Sequence, residues 1–292
     1  MAQTVKIISD STCDLSKDLL EKYDISILPL HILLGETEYR DGVDITPEEI
    51  FRWSDENKTT PKTSAPSMTE AMEVMKPFLD EGREIICFSI SDSMSTSGNV
   101  MRLAAEELEA SDKVTVINSA NLSTGIGLQV IQAALLSAEG KTRAQITAAI
   151  EEIRPRVRAS FTVDTLTYLY RGGRCNAVAA LAGTMLKLHP RIVVEDGAMD
   201  ASKKYRGKLS SVILSYTKDM EDDLKNAVPD RVFITHSGCD REIVESVRSY
   251  LESLGIFNEI LETRAGGVIQ PLRTRYTGRS IYREMILLEQ LN

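Results

Sequence analysis

Four hydroxyl-rich segments carry the clearest chemistry in this chain: Asp10-Ser-Thr12, Thr63-Ser-Ala-Pro-Ser67, Ser89–Ser97 and Ser119–Gly127. Serine and threonine hydroxyls are neutral donors suited to a carboxylate or phosphate oxygen. Each segment falls where an apolar, strand-like run gives way to a turn or helix-like stretch. Helix N-termini offer unpaired N–H groups and a partial positive charge, which favours anions. Thr63, Ser64, Ser95, Ser97 and Ser119 are therefore the candidate ligand-binding residues. The same residue types are preferred helix caps, so capping is the competing role for any single segment. Gathered outside the carboxyl ends of a parallel sheet, the segments point to a ligand site.

Signatures of self-contained catalysis are missing. There is no G-x-S-x-G nucleophile elbow, no G-x-x-x-x-G-K-[ST] phosphate loop and no H-E-x-x-H helix. Gly125-Ile-Gly127 lacks the third glycine of a dinucleotide fingerprint. Only His31, His189 and His236 are available for general-base work. Of these, His236 ends a strand-like run and is the candidate for a phosphoryl- or acyl-transferring residue. His236-Ser-Gly-Cys-Asp240 reads equally as a plain strand-to-helix turn. No catalytic residue is assigned, and the expectation is a binding protein or carrier, with a transferase or a sensor of a non-lipid or phosphorylated ligand as alternatives. Cys13, Cys87, Cys175 and Cys239 stand far apart with no C-x-x-C pair, so no metal site and no cofactor are expected. Free thiols suit a reducing cytosol, hence a cytoplasmic protein.

The elements that must position these segments read as an alternation of strands and helices. Strand-like runs fall at Val5–Ser9, Ile25–Leu30, Glu84–Ile90 and Val114–Asn118, with helical stretches between and after them. Thr46-Pro-Glu-Glu49 and Ser67-Met-Thr-Glu70 are capping boxes, predicting helices from Pro47 to about Asp55 and from Ser67 through Phe78. Such alternation predicts an α/β fold with a doubly wound, mainly parallel sheet. A composition shift at Arg154-Pro-Arg-Val-Arg158 marks a boundary, giving an N-terminal α/β domain over residues 1–157 and a C-terminal α/β domain over 158–292. The second domain is expected to hold a smaller mixed sheet. Its parts are a strand at Ser160–Val163, an Ala-rich helix through Ala177–Leu188, an Ile192–Glu195 hairpin turning at Asp196-Gly197, and a strand at Arg231–Thr235. Helices are predicted at Lys208–Asn226, Asp240–Leu254 and Thr277–Leu291.

Bulk properties narrow the partners. At 292 residues the chain is near two domains of roughly 150 residues each. Its net charge of −9 argues against a general nucleic-acid binder, which needs a basic face. No apolar run approaches the ~20 residues that cross a bilayer, leaving room only for transient contact with a membrane surface. The first residues lack the apolar core of a secretory signal.

The order of several segments resembles the DegV family of bacterial proteins over most of the chain. They are Asp10-Ser-Thr12, Pro29-Leu30 with Tyr39-Arg-Asp-Gly42, the T-S-x-P-S-like Thr63–Ser67, Leu166-Thr-Tyr-Leu-Tyr-Arg-Gly-Gly-Arg174, Leu188-His-Pro190 and Asp196-Gly197. The resemblance implies two α/β domains with a fatty acid at their interface, its chain in an apolar tunnel. It implies that the T-S-x-P-S and S-G-T loops hold the carboxylate, which a partner kinase phosphorylates. Carried across, Thr63 and Ser95 hydrogen-bond the carboxylate, while Arg171 and Arg174 lie near the mouth where the kinase approaches. The small residues of Ala177–Leu188 would leave room beside that helix for a chain, or would allow close helix packing with no void.

Three places depart from the family pattern. S-G-T is Ser95-Thr96-Ser97 here, and the family's D-S is Asn118-Ser119. Near the C-terminus, Leu272 stands where the family usually has a histidine beside the carboxylate, and Arg273, Arg275 and Arg279 cluster close by. Facing the site, Arg273 and Arg275 would hold an acidic group bidentately and fit a fatty acid or a more acidic, phosphorylated lipid. Facing solvent, the cluster is a helix cap or a subunit contact.

Overall fold

The computed structural model describes residues 5–163, 188–269 and 285–291, the last as backbone. In the N-terminal half the chain runs through β1 (Val5–Asp10), α1 (Lys17–Lys22), β2 (Ile25–Leu28), β3 (His31–Leu34), β4 (Thr37–Arg40), α2 (Pro47–Asn57) and β5 (Lys62–Ser64). It continues through α3 (Met68–Asp80), β6 (Glu84–Ser89), α4 (Ser97–Glu107), β7 (Val114–Asn118), α5 (Thr124–Ala138) and α6 (Arg143–Ile153). Beyond these lie β8 (Val157–Val163), β9 (Leu188–Glu195), β10 (Ala198–Arg206), α7 (Leu209–Asp219), α8 (Glu221–Lys225), β11 (Arg231–His236), α9 (Arg241–Leu254), β12 (Glu259–Arg264) and β13 (Met285–Leu291).

The first sheet is wholly parallel, in the order β2-β1-β6-β7. Every residue of β1 is buried, as a strand with helices on both faces requires. Strand order reverses between β1 and β6, so a crevice opens beyond their carboxyl ends. The capping boxes form: Glu49 accepts the Thr46 N–H and Glu70 the Ser67 N–H, each at 2.8 Å. They start α2 and α3 at the expected residues.

The second sheet is mixed, in the order β10-β9-β8-β13-β11-β12, and at six strands it is the wider of the two rather than the smaller. The hairpin at Asp196-Gly197 is present, with φ of 49° and 79° at its turn, the left-handed geometry of tight hairpins. The two sheets share one apolar core, in which Val5, Ile7 and Phe88 pack with Phe161, Ile192 and Phe233. Between them lies α5, buried along nearly its whole length and in contact with β1 and β6 on one side and β8 and β13 on the other. A chain of hydroxyls crosses this junction, with Thr124 Oγ1 2.5 Å from Thr235 Oγ1 and Thr235 Oγ1 3.0 Å from Thr263 Oγ1.

Several expectations are corrected. The C-terminal helix predicted over Thr277–Leu291 is a strand at Met285–Leu291, pairing antiparallel with both β8 and β11. Two open strand edges supply more backbone partners than a short helix could, and tertiary pairing overrides local propensity. The strand expected over Ile25–Leu30 is β2, ending two residues earlier at Leu28, and a further strand, β3, starts directly after Pro29-Leu30. A three-stranded antiparallel sheet, β4-β3-β5, extends the N-terminal half and turns at Gly35 with φ of 68°. The helix expected over Lys208–Asn226 breaks at Met220. Leu188 opens a strand instead of ending a helix, while the rest of the Ala-rich segment lies outside the described residues.

Candidate functional site

The crevice at the strand ends is a cavity of about 970 Å³, within the size range of small-molecule sites. Loops after β2, β6 and β7 line it with β5 and the residues flanking it, from Lys58 to Ala65, and from the second half of the chain so do Met199, Val268 and Ile269. The lining combines hydroxyls, among them Thr63, Ser64, Ser93, Ser95 and Thr96, with the apolar side chains of Leu30, Ile90, Met94, Leu122, Met199 and Ile269, and it includes the charged residues Lys58, Lys62 and Asp92.

Of the residues expected from sequence, Thr63, Ser64 and Ser95 line this cavity together. Thr63 and Ser64 close strand β5, placed by pairing with Ile32 and His31. Ser95 accepts the Ser97 N–H at 3.2 Å, which leaves its own proton directed elsewhere. Ser97 and Ser119 lie outside the lining and are buried. The Ser97 hydroxyl donates to Asp10 at 2.9 Å, and Ser119 braces its own turn by accepting the Asn121 N–H at 3.2 Å. Arg171, Arg174, Leu272, Arg273, Arg275 and Arg279 lie outside the described residues. His236 is also off the lining and faces Glu262 Oε1 at 3.3 Å.

The loops are held by buried carboxylates that sequence reasoning did not pick out as a group. Asp10 is fully buried and accepts from Thr12 N at 3.2 Å, Thr12 Oγ1 at 2.5 Å, Ile90 N at 2.9 Å and Ser97 Oγ at 2.9 Å. Burial pushes it above the usual carboxylate range against the pull of these donors. Asp14 accepts Ser123 Oγ at 2.5 Å and Gly266 N at 2.8 Å, and Asp41 accepts Ser11 Oγ at 2.8 Å and Gly267 N at 2.8 Å. Burial pushes Asp14 up to about 8, and the neighbouring Asp41 and Asp10 add to the rise. Asp41 is raised by burial as well. These bonds fasten the Gly266-Gly267 turn, which carries Val268 and Ile269 into the cavity wall. A Cβ on Gly267 would stand 2.7 Å from Asp41 Oδ1 and 2.5 Å from Ile32 Cδ1, so a glycine is needed there. The glycine pair after a strand-like run was the available signal.

Two further placements were not foreseen. Thr60 lines the cavity with its Oγ1 shut from solvent and unpartnered among the described residues. The nearest glycine to the one missing at Thr96 stands two places on, at Gly98, where a Cβ would meet Ser89 Oγ at 2.6 Å and Asp92 Oδ1 at 2.7 Å. Behind the site, His31 bridges Glu38 at 2.8 Å and Glu70 at 2.9 Å, tying the β3–β4 hairpin to the cap of α3. Burial works against the imidazolium, but the two carboxylates outweigh it and hold His31 above its ordinary value.

A family model described as an uncharacterised protein of the DegV family matches residues 4–271. Among curated relatives, a DegV domain-containing protein of Clostridium perfringens is 38% identical over 203 residues, covering 70% of this chain and 72% of its own. Another, from Clostridium acetobutylicum, is 29% identical over 292 residues, covering 99% of this chain and 100% of its own. Among solved structures, a DegV family protein of Thermus thermophilus described for its fatty acid binding superposes with a TM-score of 0.86 at 27% identity, covering 99% of this chain and 100% of that one. A stearic acid-binding protein of Eubacterium ventriosum gives 0.81 at 30% identity, with 98% of each chain covered.

Proposed function

This chain belongs to the DegV family, and we propose that it binds a fatty acid, with the carboxylate on the cavity's hydroxyls and the acyl chain along its apolar side chains. The observation that carries this reading is the lining itself: Thr63, Ser64 and Ser95 share one cavity with Leu30, Ile90, Met94 and Leu122. Hydroxyl donors satisfy a carboxylate without a buried counter-charge, and the apolar wall supplies affinity. Burying about 15 methylenes contributes on the order of 12 kcal/mol before the costs of ordering ligand and protein. The named binding properties of the Thermus and Eubacterium proteins support the same ligand class.

The chain's role in this reading is that of a carrier. The acyl tail lies between the two halves of the chain, and a partner kinase phosphorylates the exposed carboxylate, with Arg171 and Arg174 as its contacts. Arg273 and Arg275 remain candidates for a more acidic head group. A cytosolic setting belongs to the same proposal, since Cys13 and Cys87 are free thiols. Among the described residues, no helix is long and apolar enough to cross a membrane. A transferase acting through His236 draws no support from its position off the cavity.

Titrating the delipidated protein with palmitic acid and, separately, with the alcohol of equal chain length tests both halves of the reading. The acid should bind at least tenfold more tightly, the worth of about one hydrogen bond to a charged group. Equal binding of the two would remove the head-group role of the hydroxyls, and binding of neither would remove the function.

A further inference from the structure

The β9–β10 hairpin belongs to the second sheet, yet its turn is fastened to the cavity rim built by the first. The carbonyl oxygen of Gly197 accepts the Ser91 hydroxyl at 2.7 Å and the Ser93 hydroxyl as well, both from the loop after β6. The approach is too close for any side chain: a Cβ on Gly197 would stand 2.6 Å from Ser91 Oγ, and its φ of +79° favours glycine independently. Two residues further on, Met199 is 5% exposed and lines the cavity, while its neighbours Ala198 and Asp200 face solvent. Met199 is the one strand residue of the second sheet found in that lining among the described residues. Met94 and Leu122, from loops of the first sheet, share the lining with it.

On the reading that the ligand is a fatty acid, we propose that Met199 is a specificity-determining residue that sets the length of acyl chain the cavity accepts. The double hydroxyl clamp on Gly197 fixes where the hairpin enters, so the bulk of the Met199 side chain subtracts from the apolar space left among Leu30, Ile90, Met94, Leu122 and Ile269. Methionine is unbranched and adaptable, suited to closing an apolar wall around chains of slightly different shape. Cutting it back to alanine removes about three heavy atoms, room for about two further methylenes at ordinary interior packing density. Each methylene moved out of water favours its chain by about fourfold, so two are worth on the order of tenfold.

The test uses the full chain, stripped of lipid and incubated with an equimolar ladder of saturated fatty acids from lauric to behenic. Retained acids are released by denaturation and quantified by mass spectrometry. Met199→Ala should shift the retained distribution towards longer chains, with the ratio of longer to shorter acids rising about tenfold. Met199→Leu, which conserves volume, should keep the wild-type profile, and Met199→Phe should shift it towards shorter chains, which keeps the proposal testable if the alanine variant fails to fold. Acids retained with one unchanged profile in all variants would overturn the role of Met199 and leave fatty acid binding intact. The same shift in Met199→Leu as in Met199→Ala would overturn it too. No acid retained by the wild type would overturn the functional reading beneath it.

Discussion

Asp10 and Ser97 meet across 87 residues of sequence, the Ser97 hydroxyl donating to Asp10 Oδ2 at 2.9 Å in a fully buried setting. The bond joins the end of β1 to the first residue of α4, and Asp10 also takes the Ile90 N–H from the end of β6. One carboxylate therefore fixes both loops at the point where the strand order reverses. Its acceptor capacity is spent on protein donors, which makes Asp10 a residue that positions the site.

Asp10→Ala should accordingly destabilise the fold. It strands the Thr12 N–H and hydroxyl, the Ile90 N–H and the Ser97 hydroxyl in the interior, at about 1–3 kcal/mol for each unpaired group. Urea unfolding should show a total loss of at least about 4 kcal/mol, with Asp10→Asn retaining part of the stability through its remaining carbonyl acceptor.

Asp14 links stability to pH with a definite sign. Its folded pKa of about 8 lies above the unfolded value, so the folded state holds a proton that the unfolded state has released. Its contribution is fully present below about pH 4 and is lost as pH rises through about 8, at up to about 1.4 kcal/mol per pH unit for one proton. Asp10 and Asp41, also raised by burial, act in the same direction. Denaturation midpoints measured across this range should fall with pH, and Asp14→Asn should flatten the slope.

The cavity's hydroxyls should contribute through their bonds to the head group. Thr63→Val and Ser95→Ala are each expected to weaken fatty acid binding about tenfold, as for a hydrogen bond to a charged group. Thr60→Val should leave fatty acid binding unchanged and thermal stability unchanged or raised, because the Oγ1 is shut from solvent and has no partner among the described residues to lose. Isothermal titration with palmitic acid checks all three.

Gly197→Ala should show how tightly the hairpin is seated. The substitution places a Cβ against Ser91 Oγ in a left-handed backbone, which costs about 1–2 kcal/mol before the clash is counted. A thermal midpoint lowered by several degrees is expected.

Much of this arrangement was legible in local pattern. The capping boxes at Thr46 and Ser67 announced α2 and α3 because a cap is written within four residues. Thr63, Ser64 and Ser95 drew notice for the same reason, as hydroxyls clustered after strand-like runs. Met285–Leu291 was misread because a short apolar run has no periodicity that separates strand from helix, and only the open edges of β8 and β11 decide it. Asp14, Asp41 and Met199 were not legible as site residues. Each acts through a partner far away in the chain, Gly266, Gly267 and the cavity wall respectively, and no local spacing encodes such pairings.

The central claim is most directly tested by purifying the chain from a bacterial host without added lipid, denaturing it, and identifying what is released by mass spectrometry. A fatty acid in near one-to-one ratio with protein, largely lost in the Thr63→Val, Ser95→Ala double variant, is the predicted result. A protein released empty, and unable to take up palmitic acid when it is supplied, would contradict the account.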